Sequence, residues 1–423
     1  MGYGQLLPGP ICASARLVVN SGVAVPRILL ADADAFYVSV ARLVDPNGAG
    51  RSPLLIVGGS ADKRGVVTSA SYEARAYGVS SAMPMARAAR LCPDAMIVPV
   101  PWEACVEKGE EIRTALERFT PAVERASSDE FYLDMSGTER LYKNEHLSET
   151  ARRIRTAVKD ATKLSVSIGG GSSKLVAKLA AGRAKPRAGV EGKAVVIVEP
   201  GTEEEFLRGF SLADLPGVGP RFQEELAKFG LREVTDALRH ELKILQGWLG
   251  ERAGAWLHRR IRGQDESQVD SSGEAKSISR DETFAKDLDD AESLDRELVA
   301  LANRASADLR SSGLAARTIT VRIKDADFTM RQSSRTLPAP VISDRAVLAT
   351  ARELLAVLRK ARHVPARLLG VGLSQLMREG TPDQLTLFES ERQGVETERD
   401  RTLSRMVDKI RDRYGPDAAG WGR

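Results

Sequence analysis

The chain has 423 residues, 42% hydrophobic and 28% charged, with a formal net charge of +4. That length exceeds one ordinary core, so roughly two to four domains are expected, and the balance excludes a disordered or fibrous polymer. No apolar run approaches the ~20 residues of a bilayer span. Three cysteines without CxxC spacing and four scattered histidines exclude a disulfide framework or a zinc site, so a reducing cytoplasm is the expected setting.

Residues 1–26 lack a basic start followed by an apolar core, so they read as a flexible extension rather than a signal peptide. The run Arg27-Ile28-Leu29-Leu30-Ala31 predicts a strand turning toward a helix within DADAFYVSV. Between 53 and 100 come a second strand, LLIVGG, the stretch VVTSASYEARAYGV, and a helical MARAARL closed by Cys-Pro. Helical spacing runs from Glu103 to Phe119, followed by a hairpin around SSDEF, a helix near 146–162 and a strand in LSVSIGG. Such alternation predicts an α/β or α+β domain ending near residue 190. Residues 205–262 are helical by pattern and contain LPGVGP; 263–276, GQDESQVDSSGEAK, has the composition of a linker. Helices at 289–311 and 344–362 then bracket strands at 317–337 and 367–374, a βα unit. The charged stretch from 378 to 423 reads as a flexible tail apart from a short apolar cluster, QLTLF.

Charge is uneven. From Arg152 to Arg187 ten Lys or Arg accompany one acid, Asp160, and from Arg304 to Arg367 thirteen accompany five. Basic stretches of this kind suit nucleic acid, and they equally suit solvated helix faces.

The adjacent acids Asp129 and Glu130 in SSDEF need a reason, because like charges repel and strands are depleted in both residue types. Asp32 ends the first strand, where open sheets present functional groups. If the strand near 123–133 lies beside the one at 27–32, three carboxylates meet and a divalent cation with hard oxygen ligands removes their repulsion. A straight strand would send Asp129 and Glu130 to opposite faces, so a turn or bulge must separate them. The competing reading is an acidic surface hairpin, with Asp32 capping the helix that follows.

ADADAFYVSV, VVTSASYEARAYGV, ASSDEFYLDMSG and GRAKPRAG, in that order, resemble the motifs of the Y-family DNA polymerases, most closely the bacterial DinB branch, over about Arg27 to Leu376. The resemblance implies an α+β multidomain, right-hand polymerase. The palm would span 27–192 with small fingers inserted at about 44–101, the helix-hairpin-helix thumb 193–262, the linker 263–276, and the C-terminal βα little finger 277–377. It implies two Mg²⁺ ions held by Asp32, Asp129 and the backbone carbonyl of Ala33, with Glu130 as a ligand or in a catalytic role. Tyr37 falls at the steric gate beneath the incoming sugar, where many DinB proteins carry Phe, and Phe36 reads as a core aromatic. Tyr72, Arg75 and Lys185 would hold the triphosphate. GGGSSK at 169–174 does not match the phosphate-loop pattern.

Gly217 and Gly219 of LPGVGP would let backbone N–H groups approach a DNA phosphate, with QGWLGERAGAWL as a weaker second copy. In RTITVRIK, Ile319, Val321 and Ile323 alternate with polar residues, so Arg322 and Lys324, joined by Arg331 and Arg335 from the following strand, form a basic face, which the resemblance implies would lie along DNA. Gln384, Leu385, Leu387 and Phe388 resemble the peptide by which bacterial polymerases dock on the sliding β-clamp. The resulting expectation is an error-prone translesion DNA polymerase without proofreading, acting as a monomer on primer-template DNA and dNTP, with no membrane. Two rivals remain at this point: a DNA-binding relative that has lost its chemistry, and a glycosylase or nuclease using Asp236 downstream of the helix-hairpin-helix.

Overall fold

The structure is a computed structural model and describes residues 25–187, 189–380, 395–415 and 418–419. In chain order the elements begin with β1 (Ile28–Ala33), α1 (Phe36–Val44), β2 (Leu55–Gly58), β3 (Val67–Ala70), α2 (Tyr72–Ala76), α3 (Met85–Leu91) and β4 (Met96–Val98). There follow α4 (Trp102–Glu117), β5 (Val123–Arg125), β6 (Glu130–Asp134), α5 (Leu147–Thr162), β7 (Val166–Gly171), α6 (Lys174–Ala184) and β8 (Val195–Ile197). A helical stretch comes next: α7 (Glu203–Leu207), α8 (Pro220–Ala227), α9 (Val234–Leu238), α10 (Leu242–Leu249) and α11 (Glu251–Arg260). The chain continues through β9 (Ser277–Leu288), α12 (Ala291–Ser311), β10 (Leu314–Asp325), β11 (Met330–Val341), α13 (Asp344–Ala361), β12 (Ala366–Arg378) and α14 (Glu398–Tyr414).

Contacts divide the chain into two compact units. The first holds a five-stranded sheet in the order β5-β6-β1-β7-β8 together with the helices from α5 to α11. All six residues of β1 are buried, as suits the central strand of that sheet. It pairs antiparallel with β6 and β7, and its register sets Asp32 opposite Glu130 and Ser167. Helix α6 packs directly on β7, because a Cβ on Gly169 would lie 2.0 Å from Ala181 N and 2.2 Å from Ala177 O. A separate apolar cluster, including Leu207, Leu215, Val218, Leu226, Leu245 and Leu257, joins the helices from α7 to α11.

The second unit holds the sheets β3-β2-β4 and β11-β10-β12-β9. Helices α12 and α13 cover the four-stranded sheet through Leu298, Leu301, Leu309, Val347, Ala351 and Leu354, which pack against Ile319, Val321, Ile323, Leu369 and Val371. Arg64 ties the two sheet regions of this unit together, donating to Phe284 O at 3.2 Å and pairing with Asp287 at 2.5 Å.

One expectation needs correction, and one strand lacked a sequence signal. Residues 398–414 of the stretch read as a flexible tail form helix α14, and β12 runs to Arg378. Thr397 and Asp400 cap α14 reciprocally, and Arg310, only 4% exposed, reaches Asp408 at 2.6 Å and Asp344 at 2.8 Å. Ser404 accepts a hydrogen bond from Asp344 N, and Arg411 adds a second cation near Asp344. The docking face of α14 is thus polar, while Leu403, Met406, Ile410 and Tyr414 face solvent. Hydrophobic periodicity could not reveal a helix held in that way. Strand β9 went unpredicted, because it is an edge strand with Phe284 as its one buried residue.

The clamp-like residues Gln384, Leu385, Leu387 and Phe388 lie outside the described residues. Among the described residues no helix is long and apolar enough to cross a membrane.

Candidate active site

The first unit gathers the three predicted acids at one end of its sheet. Residues 127–129 form the turn between β5 and β6, closed by Ala126 N donating to Glu130 O at 2.9 Å. Asp129 therefore sits in the turn and Glu130 at the first strand position, which removes the objection that neighbours on a straight strand diverge. Ser127 shapes the turn: its Oγ donates to Asp129 Oδ1 at 2.6 Å and accepts from Glu130 N at 3.1 Å. Across the sheet, Ala33 N donates to Asp129 O at 3.0 Å, so the end of β1 is bonded to the acidic turn.

Asp32 is 6% exposed, and burial pushes its carboxyl from 3.8 up to about 7. Lys185 opposes that rise, whereas the charges of Glu130 and Asp129 add to it. Lys185 Nζ lies 2.7 Å from Asp32 Oδ1, yet that oxygen has no well-directed hydrogen bond, so the contact is one of charge. Glu130 is gripped by Lys178, whose Nζ lies 3.0 and 2.7 Å from its two oxygens. The ammonium groups of Lys178 and Lys185 thus offset the mutual repulsion of the acids.

Among the described residues no group of three or more His, Cys, Asp or Glu closes into a metal cage. The donor set nevertheless fits a hard divalent cation: oxygen ligands only, one of them a buried carboxylate with an undirected lone pair, in a field that disfavours bare negative charge. Sequence reasoning assigned Lys185 to phosphate and overlooked Lys178. The signal was present, since Lys174, Lys178 and Lys185 recur along the basic stretch from Arg152 to Arg187.

GGGSSK is closed by the protein itself. Ser173 Oγ accepts from Val176 N, and Asp265 Oδ2 accepts from Leu175 N at 3.2 Å, so the N-terminus of α6 already holds a carboxylate. Residues 263–269 are therefore tied to the first unit through Asp265, and also through Val269, which packs on Ile28 and Tyr132.

In the second unit, Tyr37 is half-buried on α1, just after Ala35, which adopts a left-handed conformation (φ 45°) in the turn from β1. Phe36 is fully buried, as expected of a core aromatic. Tyr72 and Arg75 share a face of α2, the guanidinium lying 4.9 Å from the ring centroid and Nε donating to Ala70 O at 2.9 Å.

In the helical region of the first unit, Gly217 takes φ +100° and Trp256 lies 2.8 Å from where its Cβ would be, so only glycine fits that hairpin. Gly219 caps α8, with Pro220 at the first helical position. Asp236 caps α9 by accepting from Glu233 N and Arg232 N, bonds that hold its carboxyl below the usual range. That is a structural duty, not the catalytic acid of a glycosylase.

On β10, Arg322 and Lys324 lie on the half-exposed face, Arg322 3.5 Å from Asp281 and Lys324 over the Phe328 ring. Arg335 is exposed and pairs with Glu353. Arg331 departs from expectation: both its Nε and Nη2 bond the fully buried Asp325 and its Nη1 donates to Leu358 O, so its charge is spent internally. Removing a buried Asp325 from water demands such a partner, and Arg331 and Arg362 supply it.

Three family models match: "impB/mucB/samB family" over residues 31–182, "impB/mucB/samB family C-terminal domain" over 275–387, and "DNA polymerase-iota, thumb domain" over 213–265. DNA polymerase IV of Caulobacter vibrioides is 34% identical over 98% of this chain and 98% of its own length. DNA polymerase IV of Dehalococcoides mccartyi (strain CBDB1) is 33% identical over 95% and 98%, and DNA polymerase IV 2 of Agrobacterium fabrum 36% over 84% and 95%. Two solved structures share the fold at lower identity. A Y-family DNA polymerase Dbh–Dpo4 chimera superposes with TM-score 0.73 at 22% identity, covering 83% of this chain and 99% of its own. An insertion ternary complex of Dbh DNA polymerase gives TM-score 0.59 at 23%, covering 82% and 98%. With the acids, the hairpin glycines and near-complete alignment pointing the same way, the chain belongs to the Y family of DNA polymerases, in its DNA polymerase IV branch, and is a DNA-directed DNA polymerase.

Proposed function

We propose that the chain carries out error-prone translesion synthesis, adding dNTPs to a primer 3′-OH on a template, without proofreading and as a monomer. The observation that carries this reading is the pairing of β1 with β6, which sets Asp32 opposite Glu130 and bonds Ala33 to Asp129. Asp32, Asp129 and the Ala33 carbonyl would hold two Mg²⁺ ions, with Glu130 completing the acidic set. When bound, these ions supply charge stabilisation for the in-line displacement of pyrophosphate.

The chain's own groups account for the remaining work. Lys185 would leave Asp32 for the triphosphate, since an ammonium follows the larger negative charge. Arg75, its guanidinium oriented by Ala70 O, and Tyr72 beside it would hold the same phosphates. Tyr37 would bar a ribose 2′-OH by occupying the space that hydroxyl needs. Gly217 and Gly219 would present N–H groups to a DNA phosphate, while Arg322, Lys324 and Arg335 would lend a sequence-neutral, salt-sensitive grip. Gln384, Leu385, Leu387 and Phe388 would dock on a sliding β-clamp and raise the local concentration of enzyme at primer ends.

The deciding experiment is primer extension with wild type and Asp129→Ala side by side. Extension by wild type alone, with equal DNA binding by both, is expected. Undiminished extension by the variant would overturn the assignment of the acids.

A further inference from the structure

Tyr37 is held between two aromatic rings of its own unit. Phe36 meets it edge-on with centroids 5.2 Å apart and planes at 76°, and at 1% exposure Phe36 is a wall packed into the core. On the other contact Trp102 meets it at 6.0 Å and 77°. Trp102 opens α4 and is 62% exposed, an unusual setting for the largest apolar side chain. It takes no part in the cluster of Val38, Ala41, Ala49, Leu55 and Val57 on which Tyr37 packs with Val98 and Val100. Its backbone is nonetheless anchored there, since Trp102 N donates to Val100 O at 3.0 Å.

An exposed indole fixed at its base and touching one ring does little for stability. What it bears on is that ring: without it, Tyr37 keeps the Phe36 contact and its apolar floor but loses the indole edge contact that constrains its tilt. We propose that Trp102 is a positioning residue for Tyr37, fixing the tilt of the phenol and so setting how strictly ribonucleotides are refused. This rests on the reading of Tyr37 as the sugar gate. Exclusion by contact is steep in distance, so a small tilt admits the extra hydroxyl. One edge-to-face contact is worth about a 3- to 10-fold change in an equilibrium, which sets the size of the effect.

The test measures kcat/KM for a dNTP and the matching rNTP with wild type, Trp102→Ala, Trp102→Phe, Tyr37→Ala and the Tyr37→Ala/Trp102→Ala double variant. Trp102→Ala should lower the dNTP-over-rNTP ratio about 3- to 10-fold, mainly through the rNTP's KM, and Trp102→Phe should restore most of it. In the Tyr37→Ala background, Trp102→Ala should change the ratio no further. A wild-type ratio in Trp102→Ala, alongside a collapsed ratio in Tyr37→Ala, would overturn the proposal and leave the gate intact. An equal loss in both backgrounds would overturn it as well, by showing that Trp102 acts without Tyr37. A wild-type ratio in Tyr37→Ala would remove the gate reading itself, and the proposal with it.

Discussion

Asp32→Asn exposes the electrostatic cost of assembling the acids. Burial, helped by Glu130 and Asp129 and opposed by Lys185, moves the Asp32 carboxyl from 3.8 to about 7. Three pH units at about 1.4 kcal/mol each make the ionised side chain cost the fold on the order of 4 kcal/mol. Because the folded value lies above the unfolded one, the stabilising protonation is present in full below about pH 4 and is lost as the pH rises through 7. Asparagine does not titrate and escapes that loss. The assay is thermal unfolding of both proteins in EDTA from about pH 5 to about pH 8. The variant's Tm should gain on wild type as the pH rises, by several degrees at the upper end, since 1 kcal/mol is roughly 2–4 °C for a unit of this size. Leaving Lys185 without its partner shifts every point alike, so the widening is the signal. Millimolar MgCl₂ should close the gap by stabilising wild type alone. A Tm difference that stays constant across this pH range would refute the reasoning, because it would mean that Asp32 is ionised at no cost to the fold.

Gly169→Ala should destabilise the first unit by about 2–4 kcal/mol in thermal or urea unfolding, because backbone atoms of α6 stand where the new methyl must go. Gly182→Ala, on α6 with nothing within 4 Å of the added carbon, should be neutral or slightly stabilising. Arg310→Met leaves the fully buried Asp344 without its closest cation, so a loss of about 3–5 kcal/mol is expected, with faster proteolytic release of α14. In DNA-binding titrations against salt, Lys324→Gln should reduce the slope of log K on log salt by about one. Arg331→Gln should leave that slope unchanged and lower the melting temperature instead, since its charge belongs to Asp325.

Elements with a buried apolar stripe were legible. Helix α5, strands β1 and β10 and helices α12 and α13 fall within a few residues of their sequence patterns, because β1 is an apolar run buried on both faces and each of the others packs through residues that repeat at its own period. Strand β9 and helix α14 were not, for opposite reasons. The first is an edge strand that buries almost nothing, and the second turns Asp400, Ser404 and Asp408 inward and its apolar residues outward. The same limit applied to single side chains: Arg331 alternates as a surface arginine should, yet a buried carboxylate claims it.

By itself, the sequence determined which chemistry was available: three acids in motifs of known order, an aromatic on the helix that follows the first acid, and glycines where a hairpin needs them. Those features are local, since they depend on residue type and on spacings of a few positions. Only the tertiary structure decided that Asp32 faces Glu130, that Lys178 and Lys185 neutralise the acids, and that Asp265 occupies the N-terminus of α6. Each of those pairings joins residues dozens of positions apart across separate elements. Coulomb energy depends on separation in space, and separation in space follows from strand register and helix packing, which no local pattern encodes.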